Sequence, residues 1–255
     1  MVLARILPQK INNKLFGERE RWGKTPIHDD PCWLAWEKQM VEIYEKTQQQ
    51  GIGKLVNDSG YRIVEQLNFS GKTILEIGPG TLAHLDFWKS TPKSYWLVDR
   101  REAFLTEAKK KLSERNIPTT VWLTDTTHDS LPIEEASVDI ILSFYSLEHL
   151  FPLDAHLKPM LKLLKPGGVL AGAIPCEGGF SWGFGRYLTT RRWFLNNTNI
   201  NPDKIICWEH PNMADEIIRT LNSTMTKQKL SFWPLRLPLI DINLTAKFIY
   251  KNKIV

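Results

Sequence analysis

From Gly71 onward the chain alternates between short apolar runs and stretches whose apolar residues recur every three or four positions. Thr73-Ile74-Leu75-Glu76-Ile77 reads as a strand, as do Tyr95–Val98, Thr120–Leu123, Asp139–Ser143 and Val169–Ile174. Strands so nearly continuous in apolar residues are those of a parallel sheet buried on both faces. Between them, Thr81–Trp88 predicts a short helix with Leu82, Leu85 and Trp88 on one side. Phe104, Leu105, Ala108 and Leu112 mark the buried face of an amphipathic helix over Arg101–Glu114. Leu157, Met160, Leu161 and Leu164 mark another, which Pro159 should split or whose regular part it should begin, and which Lys165-Pro166-Gly167-Gly168 should end as a plain turn. Ala214–Leu221 reads as helix, Leu230–Trp233 as strand, and Leu244–Tyr250 as a strand with Leu244, Ala246, Phe248 and Tyr250 on one face. The alternation predicts an α/β fold: a seven-stranded, mostly parallel sheet with an antiparallel closing strand and helices on both faces.

The first 70 residues break this rhythm. Trp33, Trp36, Met40, Ile43 and Tyr44 fall at helical spacing over Trp33–Gln48, after the helix start Asp29-Asp30-Pro31. A second helix is expected over Gly60–Leu67, with Ile63, Val64 and Leu67 inward. Residues 1–70 are therefore expected to form a helical cap on a domain of residues 71–255, and the Gly- and aromatic-rich stretch 176–210 a lid.

Composition narrows the function classes. In 255 residues, 42% apolar and 24% charged content excludes a disordered or fibrous chain. No run approaches the roughly 18 apolar residues of a membrane helix. Cys32, Cys176 and Cys207 cannot all pair and match no zinc spacing, which predicts a cytoplasmic protein without a metal. The net charge of +5 is small for a protein that tracks phosphates, so DNA is not expected and RNA is a weak alternative.

The chemistry concentrates after the first strand. In Glu76-Ile77-Gly78-Pro79-Gly80, Gly78 permits a tight turn and Gly80 lets a ligand lie against the backbone, while Glu76 could accept from a cofactor amino group. Asp99, followed by Arg100, ends the second strand, where a carboxylate can hold both hydroxyls of a ribose. Asp125 follows the third strand, where its side chain can accept an adenine amino hydrogen. The fourth strand delivers Ser143 and Tyr145 at its carboxyl end, then Leu147-Glu148-His149-Leu150.

With these elements in order, and Leu163–Gly168 before the fifth strand, the chain resembles the class I S-adenosylmethionine-dependent methyltransferases over about residues 70–175. The resemblance implies a Rossmann-like fold with S-adenosylmethionine as cofactor. Glu76, Gly78 and Gly80 would cradle its methionine part, Asp99 its ribose, and Asp125 and Thr126 its adenine. Many members carry a third glycine where this chain has Leu82, so no role passes to that position. The acceptor side loosely resembles bacterial saccharide-modifying members, which implies a small molecule methylated on oxygen or nitrogen, a saccharide or lipid-linked saccharide among the candidates.

Gly78-Pro79-Gly80-Thr81-Leu82-Ala83 also satisfies a nicotinamide-dinucleotide fingerprint, so an oxidoreductase stays open, as does a cofactor binder without catalysis. A hydroxyl acceptor needs a base, for which His149 at the mouth of the sheet is first candidate and His84 and His210 are second. Pro175-Cys176 follows the fifth strand, not the fourth, and reads as a buried cysteine. Arg186, Arg191 and Arg192 in the lid could pair with phosphate.

Overall fold

The computed structural model describes residues 2–48, 51–124 and 131–253. Its seven strands are β1 (Thr73–Ile77), β2 (Ser94–Asp99), β3 (Thr119–Leu123), β4 (Val138–Phe144), β5 (Leu164–Pro175), β6 (Thr226–Trp233) and β7 (Thr245–Lys251). They form one sheet in the order β3-β2-β1-β4-β5-β7-β6, parallel except for β7, which runs antiparallel to both neighbours. This is the architecture the apolar patterning predicts.

Alternation along the strands feeds two cores. Ile74, Leu97 and Leu142 face one side, where Leu105, Ala108 and Leu112 of α5 (Glu102–Glu114) cover them together with Ile63 and Val64. Leu75, Ile77 and Ile141 face the other, under Leu157 and Met160 of α6 (Leu153–Lys162) and Ile217 and Leu221 of α10 (Ala214–Thr224). Removing both faces from water stabilises the sheet at roughly 25 cal/mol per Å² of apolar surface.

Several local expectations are corrected. Thr81–Trp88 is not a helix; turns lead to a single 3₁₀ turn at Leu85–Phe87, and Leu82 adopts φ +52°. Leu82 and His84 are buried there, so packing sets the backbone against its local preference. Pro159 lies inside a continuous α6, because Ala155, whose carbonyl loses its helical donor, is exposed to solvent. Lys165–Gly168 belongs to β5, where the register against β4 shifts between Val138 and Ile140. The helix expected at Gly60–Leu67 is instead α4 (Gly51–Tyr61) running into a 3₁₀ turn over Arg62–Gln66.

The stretch 176–210, read as a lid loop, is mostly helical: α7 (Phe180–Leu188), α8 (Thr190–Asn197) and α9 (Pro202–Glu209). After α1 (Gln9–Phe16), the next two N-terminal helices share an apolar cluster with it. Trp33 of α3 (Pro31–Gln48) packs with Phe194, Ile205, Cys207 and Trp208, and Trp22 of α2 (Arg19–Trp22) joins them. The Trp33 and Trp208 rings meet edge to face at 6.1 Å, and Trp208 Nε1–H donates to the Trp22 carbonyl at 2.9 Å.

Candidate active site

The turn after β1 and the tip of β2 stand side by side. Gly78 N–H donates to the Val98 carbonyl at 2.8 Å, one residue before Asp99. Gly78 has φ +65° and Gly80 φ +51°. A Cβ at Gly78 would sit 2.4 Å from Ser146 Oγ, so glycine is required twice over, by backbone and by space. Asp99 is largely buried, and its Oδ1 accepts from Arg101 N–H at 2.8 Å. Burial raises its pKa against the pull of Arg101 and Arg100. A carboxylate on the strand tip beside a turn of open φ suits a sugar and its attached chain lying along the sheet edge.

Three expected cofactor contacts are directed elsewhere. Glu76 is fully buried: Tyr95 OH donates to its Oε2 at 2.5 Å, and His84 Nε2 lies 2.8 Å from its Oε1. Since His84 Nδ1 accepts from Trp88 Nε1–H at 2.8 Å, the ring proton sits on Nε2 and points at Glu76. Glu76 and His84 thus form an inward polar knot, which removes His84 as a candidate base. Tyr145, at φ +52°, turns its hydroxyl to the carbonyls of Val56 (3.2 Å) and Asn57 (3.1 Å) in α4. Arg100 reaches across the mouth instead, 4.0 Å from Glu37 of α3 and 3.6 Å from Glu209 of α9. Ser143 is buried in β4, and its hydroxyl finds no hydrogen-bond partner among the described residues. Asp125 and Thr126 lie outside the described residues.

Beyond β4, acids and histidines converge. His149 Nδ1 contacts the Glu209 main-chain carbonyl and lies 3.2 Å from Glu209 Oε2, while its Nε2 is 4.0 Å from Glu148 Oε1. The Nδ1 proton is therefore directed at Glu209, which leaves Nε2 as the basic nitrogen. Burial disfavours the imidazolium, but the Glu209 bond and the charges of Glu148 and Glu209 outweigh it and raise the pKa of His149. Glu209 also accepts from Trp36 Nε1–H at 2.6 Å. Despite burial, His149 and the nearby Arg100 and Arg101 hold its carboxyl well below the usual range. Sequence reading missed Glu209, although its neighbour His210 drew attention to Trp208-Glu209-His210-Pro211.

Glu148 is the opposite case. Its carboxyl is buried, Oε2 has no hydrogen-bond partner among the described residues, and burial pushes its pKa up to about 7 against the charge of His149. A raised carboxyl pKa means that ionisation opposes folding. The penalty is absent below the ordinary value of 4.5, grows as pH rises, and is complete above about 7. Glu148→Gln should consequently melt at a higher temperature than the wild type at pH 8 and at the same temperature at pH 4. Roughly 1.4 kcal/mol per pKa unit makes the gain at pH 8 about 3 kcal/mol. Equal melting curves at both pH values would show that Glu148 ionises freely.

His210, Arg186 and Arg191 are committed to carboxylates. Glu177, just past β5, is fully buried and receives Arg186 Nη1 at 2.6 Å, Trp182 Nε1 at 2.9 Å and His210 Nδ1 at 3.0 Å. Arg191 pairs with Asp203 at 2.8 Å, so only exposed Arg192 retains the phosphate role considered for the three. Cys176 is buried and its thiol is pushed up by burial, so it is no nucleophile. Among the described residues, no group of His, Cys, Asp and Glu is placed to hold a metal ion.

Comparison with known proteins agrees with this geometry. Residues 75–172 match the family model described as a methyltransferase domain. The ubiquinone/menaquinone biosynthesis C-methyltransferase UbiE of Cupriavidus pinatubonensis is 30% identical over 101 residues, which is 38% of this chain and 41% of that protein. The chain thus matches less than half the length of that curated relative. N-methyltransferase NodS of Bradyrhizobium japonicum, solved with S-adenosyl-L-homocysteine, superposes with a TM-score of 0.57 at 16% identity, covering 88% of this chain and 99% of that one. A SAM-dependent methyltransferase of Aquifex aeolicus gives 0.53 at 13% identity, over 84% and 98%. At those identities the two structures establish the fold alone. The family match decides between the methyltransferase and dinucleotide readings of the glycine turn in favour of the former. Residues 75–172 thus match a methyltransferase domain, set in a fold shared with S-adenosylmethionine-dependent methyltransferases.

Proposed function

We propose that this protein transfers the methyl group of S-adenosylmethionine to an oxygen or nitrogen of a small-molecule acceptor, with His149 as the general base. The pairing of His149 with Glu209 carries the reading: a carboxylate on Nδ1 orients the ring and raises the basicity of Nε2. S-adenosylmethionine, when bound, supplies a methyl group already activated on a sulfonium. The residues that would hold it are Gly78 and Gly80 along its amino-acid part and Asp99 at the ribose. Asp125 and Thr126 are proposed for the adenine. Glu76 is left out, since its carboxylate is occupied by Tyr95 and His84.

The protein's own task is alignment and exclusion of water. Residues 1–70 and 176–210 are proposed to form the cap that does this, through their common tryptophan-rich core. A saccharide hydroxyl is the proposed acceptor, because a weakly acidic hydroxyl needs a base. An amine acceptor would need His149 little.

Adenosylhomocysteine should raise the melting temperature, and NADH should not. Asp99→Ala should weaken adenosylhomocysteine at least about tenfold by calorimetry, since each charge-assisted hydrogen bond is worth roughly 1.5–3 kcal/mol. Unchanged affinity would remove Asp99 from the site.

A further inference from the structure

We infer that one rim of this protein docks on the surface of an anionic phospholipid bilayer, through a fixed leucine loop beside a groove lined with cations. The loop joins β6 to β7. Trp233 and Thr245 pair across those strands, and Thr245 pairs with Pro175 at the end of β5, so the loop lies at the carboxyl edge of the parallel strands. That is the edge that carries the glycine turn and His149.

The loop exposes Leu235, Leu237 and Leu239 at more than half of their surface each, namely 55%, 52% and 55%. Exposed apolar chains are ordinary singly, but three on alternate residues of a held loop are not. Buried Asn243 holds them: its Oδ1 accepts from Leu235 N–H at 2.9 Å, and its Nδ2 donates to the carbonyls of Leu237 (3.0 Å) and Leu239 (2.8 Å). The backbone polar groups are thus turned inward onto Asn243 and the leucines outward. Helix α7 starts against the same loop, where a Cβ on Gly179 would meet the Ile240 carbonyl at 2.7 Å. It displays Phe180 and Phe184, exposed and stacked at 5.5 Å.

Charge selects the occupant. Beneath the loop lies a groove of about 460 Å³, lined by the cations Arg62, Lys229, Arg236 and Lys247 and by one acid, Asp58, which pairs with Lys54, with Leu55 and Trp233 as apolar walls. Arg62 pairs with Glu65 at 2.8 Å, and Lys229 donates to Gln66 at 2.6 Å. Lys247 and Arg236 have no ion-pair partner among the described residues. Lys247 is half-buried, and burial together with Lys229, Arg236 and Arg62 lowers its pKa, with Glu65 as the opposing charge. Such a cluster is relieved by an anion. Protruding apolar side chains beside unpaired cations match a surface with phosphate outside and hydrocarbon beneath. No helix among the described residues is long and apolar enough to cross a membrane, so the contact would be peripheral.

The test is flotation of the full chain with vesicles of phosphatidylcholine alone and of phosphatidylcholine with phosphatidylglycerol. The protein should float with the anionic vesicles at low salt, and raised salt should release it. Arg236→Glu should weaken partitioning about tenfold, and the combined Leu235→Ser, Leu237→Ser, Leu239→Ser variant by at least as much. Adenosylhomocysteine affinity, followed in parallel, should stay unchanged and so report an intact fold. No flotation of the wild type with anionic vesicles would overturn the inference, as would leucine variants that float like the wild type. A wild-type dimer that these variants turn into monomer, without vesicle binding, would assign the face to a second copy of the chain and equally overturn it.

Discussion

Replacing His149 by alanine is expected to lower methyl transfer by roughly 10²- to 10⁴-fold, the range of a positioned general base. The assay is transfer of labelled methyl from S-adenosylmethionine in cell extract, which supplies the acceptor. Adenosylhomocysteine affinity should hardly change, because His149 lies after β4 and not at the glycine turn. A base must be neutral to act, and the pKa of His149 lies above its ordinary 6.5. Activity should accordingly climb with pH through a limb displaced above 6.5. Glu209→Gln removes the charge that displaces it, so the limb should move to lower pH and the plateau should fall. A residue that only packs would leave the limb where it is. Transfer by His149→Ala at the wild-type rate would take His149 out of the mechanism.

The largest loss of stability should come from Glu177→Gln. Glu177 is fully buried, with Arg186 at 2.6 Å, His210 at 3.0 Å and Arg19 at 3.8 Å. Arg186 and Arg19 are themselves mostly buried, so neutralising the acid leaves two cations without a counter-charge. Breaking a buried pair from one side costs roughly 3–5 kcal/mol. In a chain of this size that is a fall in Tm of about 10 °C. The sign of the pH dependence follows from its depressed pKa: burial alone would raise it, and Arg186 and His210 more than offset burial. The contribution is complete above the ordinary value of 4.5 and is lost as pH falls through the depressed one. The gap between wild type and variant should thus be widest near neutrality and close in acid. A gap of less than a degree at pH 7 would mean that the arginines find other partners.

The contact between Glu209 and His149 joins two residues that stand out very unequally in the sequence. His149 could be singled out because it follows a strand whose apolar run is unmistakable. Glu209 could not, because it comes from the end of α9, far along the sequence. Nothing in Trp208-Glu209-His210-Pro211 favours the acid over the adjacent histidine. The histidine, equally prominent in sequence, turns instead to Glu177. Arg100 shows the same division, since its position beside Asp99 suggested the cofactor and its length carried it to Glu37 and Glu209.

Local patterning determined the sheet. Five apolar runs with helices between them can bury their surfaces only as parallel strands covered on both faces, and β7 announces itself through Ala246, Phe248 and Tyr250 on one side. Gly78, Gly80 and Asp99 were legible for a similar reason, since turn chemistry and a strand-end carboxylate are set by neighbours in sequence. Packing across long separations decided the rest. Thr81–Trp88 gives up helix so that His84 can meet Glu76 and Trp88 can stack on Tyr95 at 5.2 Å. The histidine–glutamate pair at the mouth exists only because the end of α9 comes back beside the segment that follows β4. Periodicity records which face of a segment avoids water, but not which distant segment will cover it.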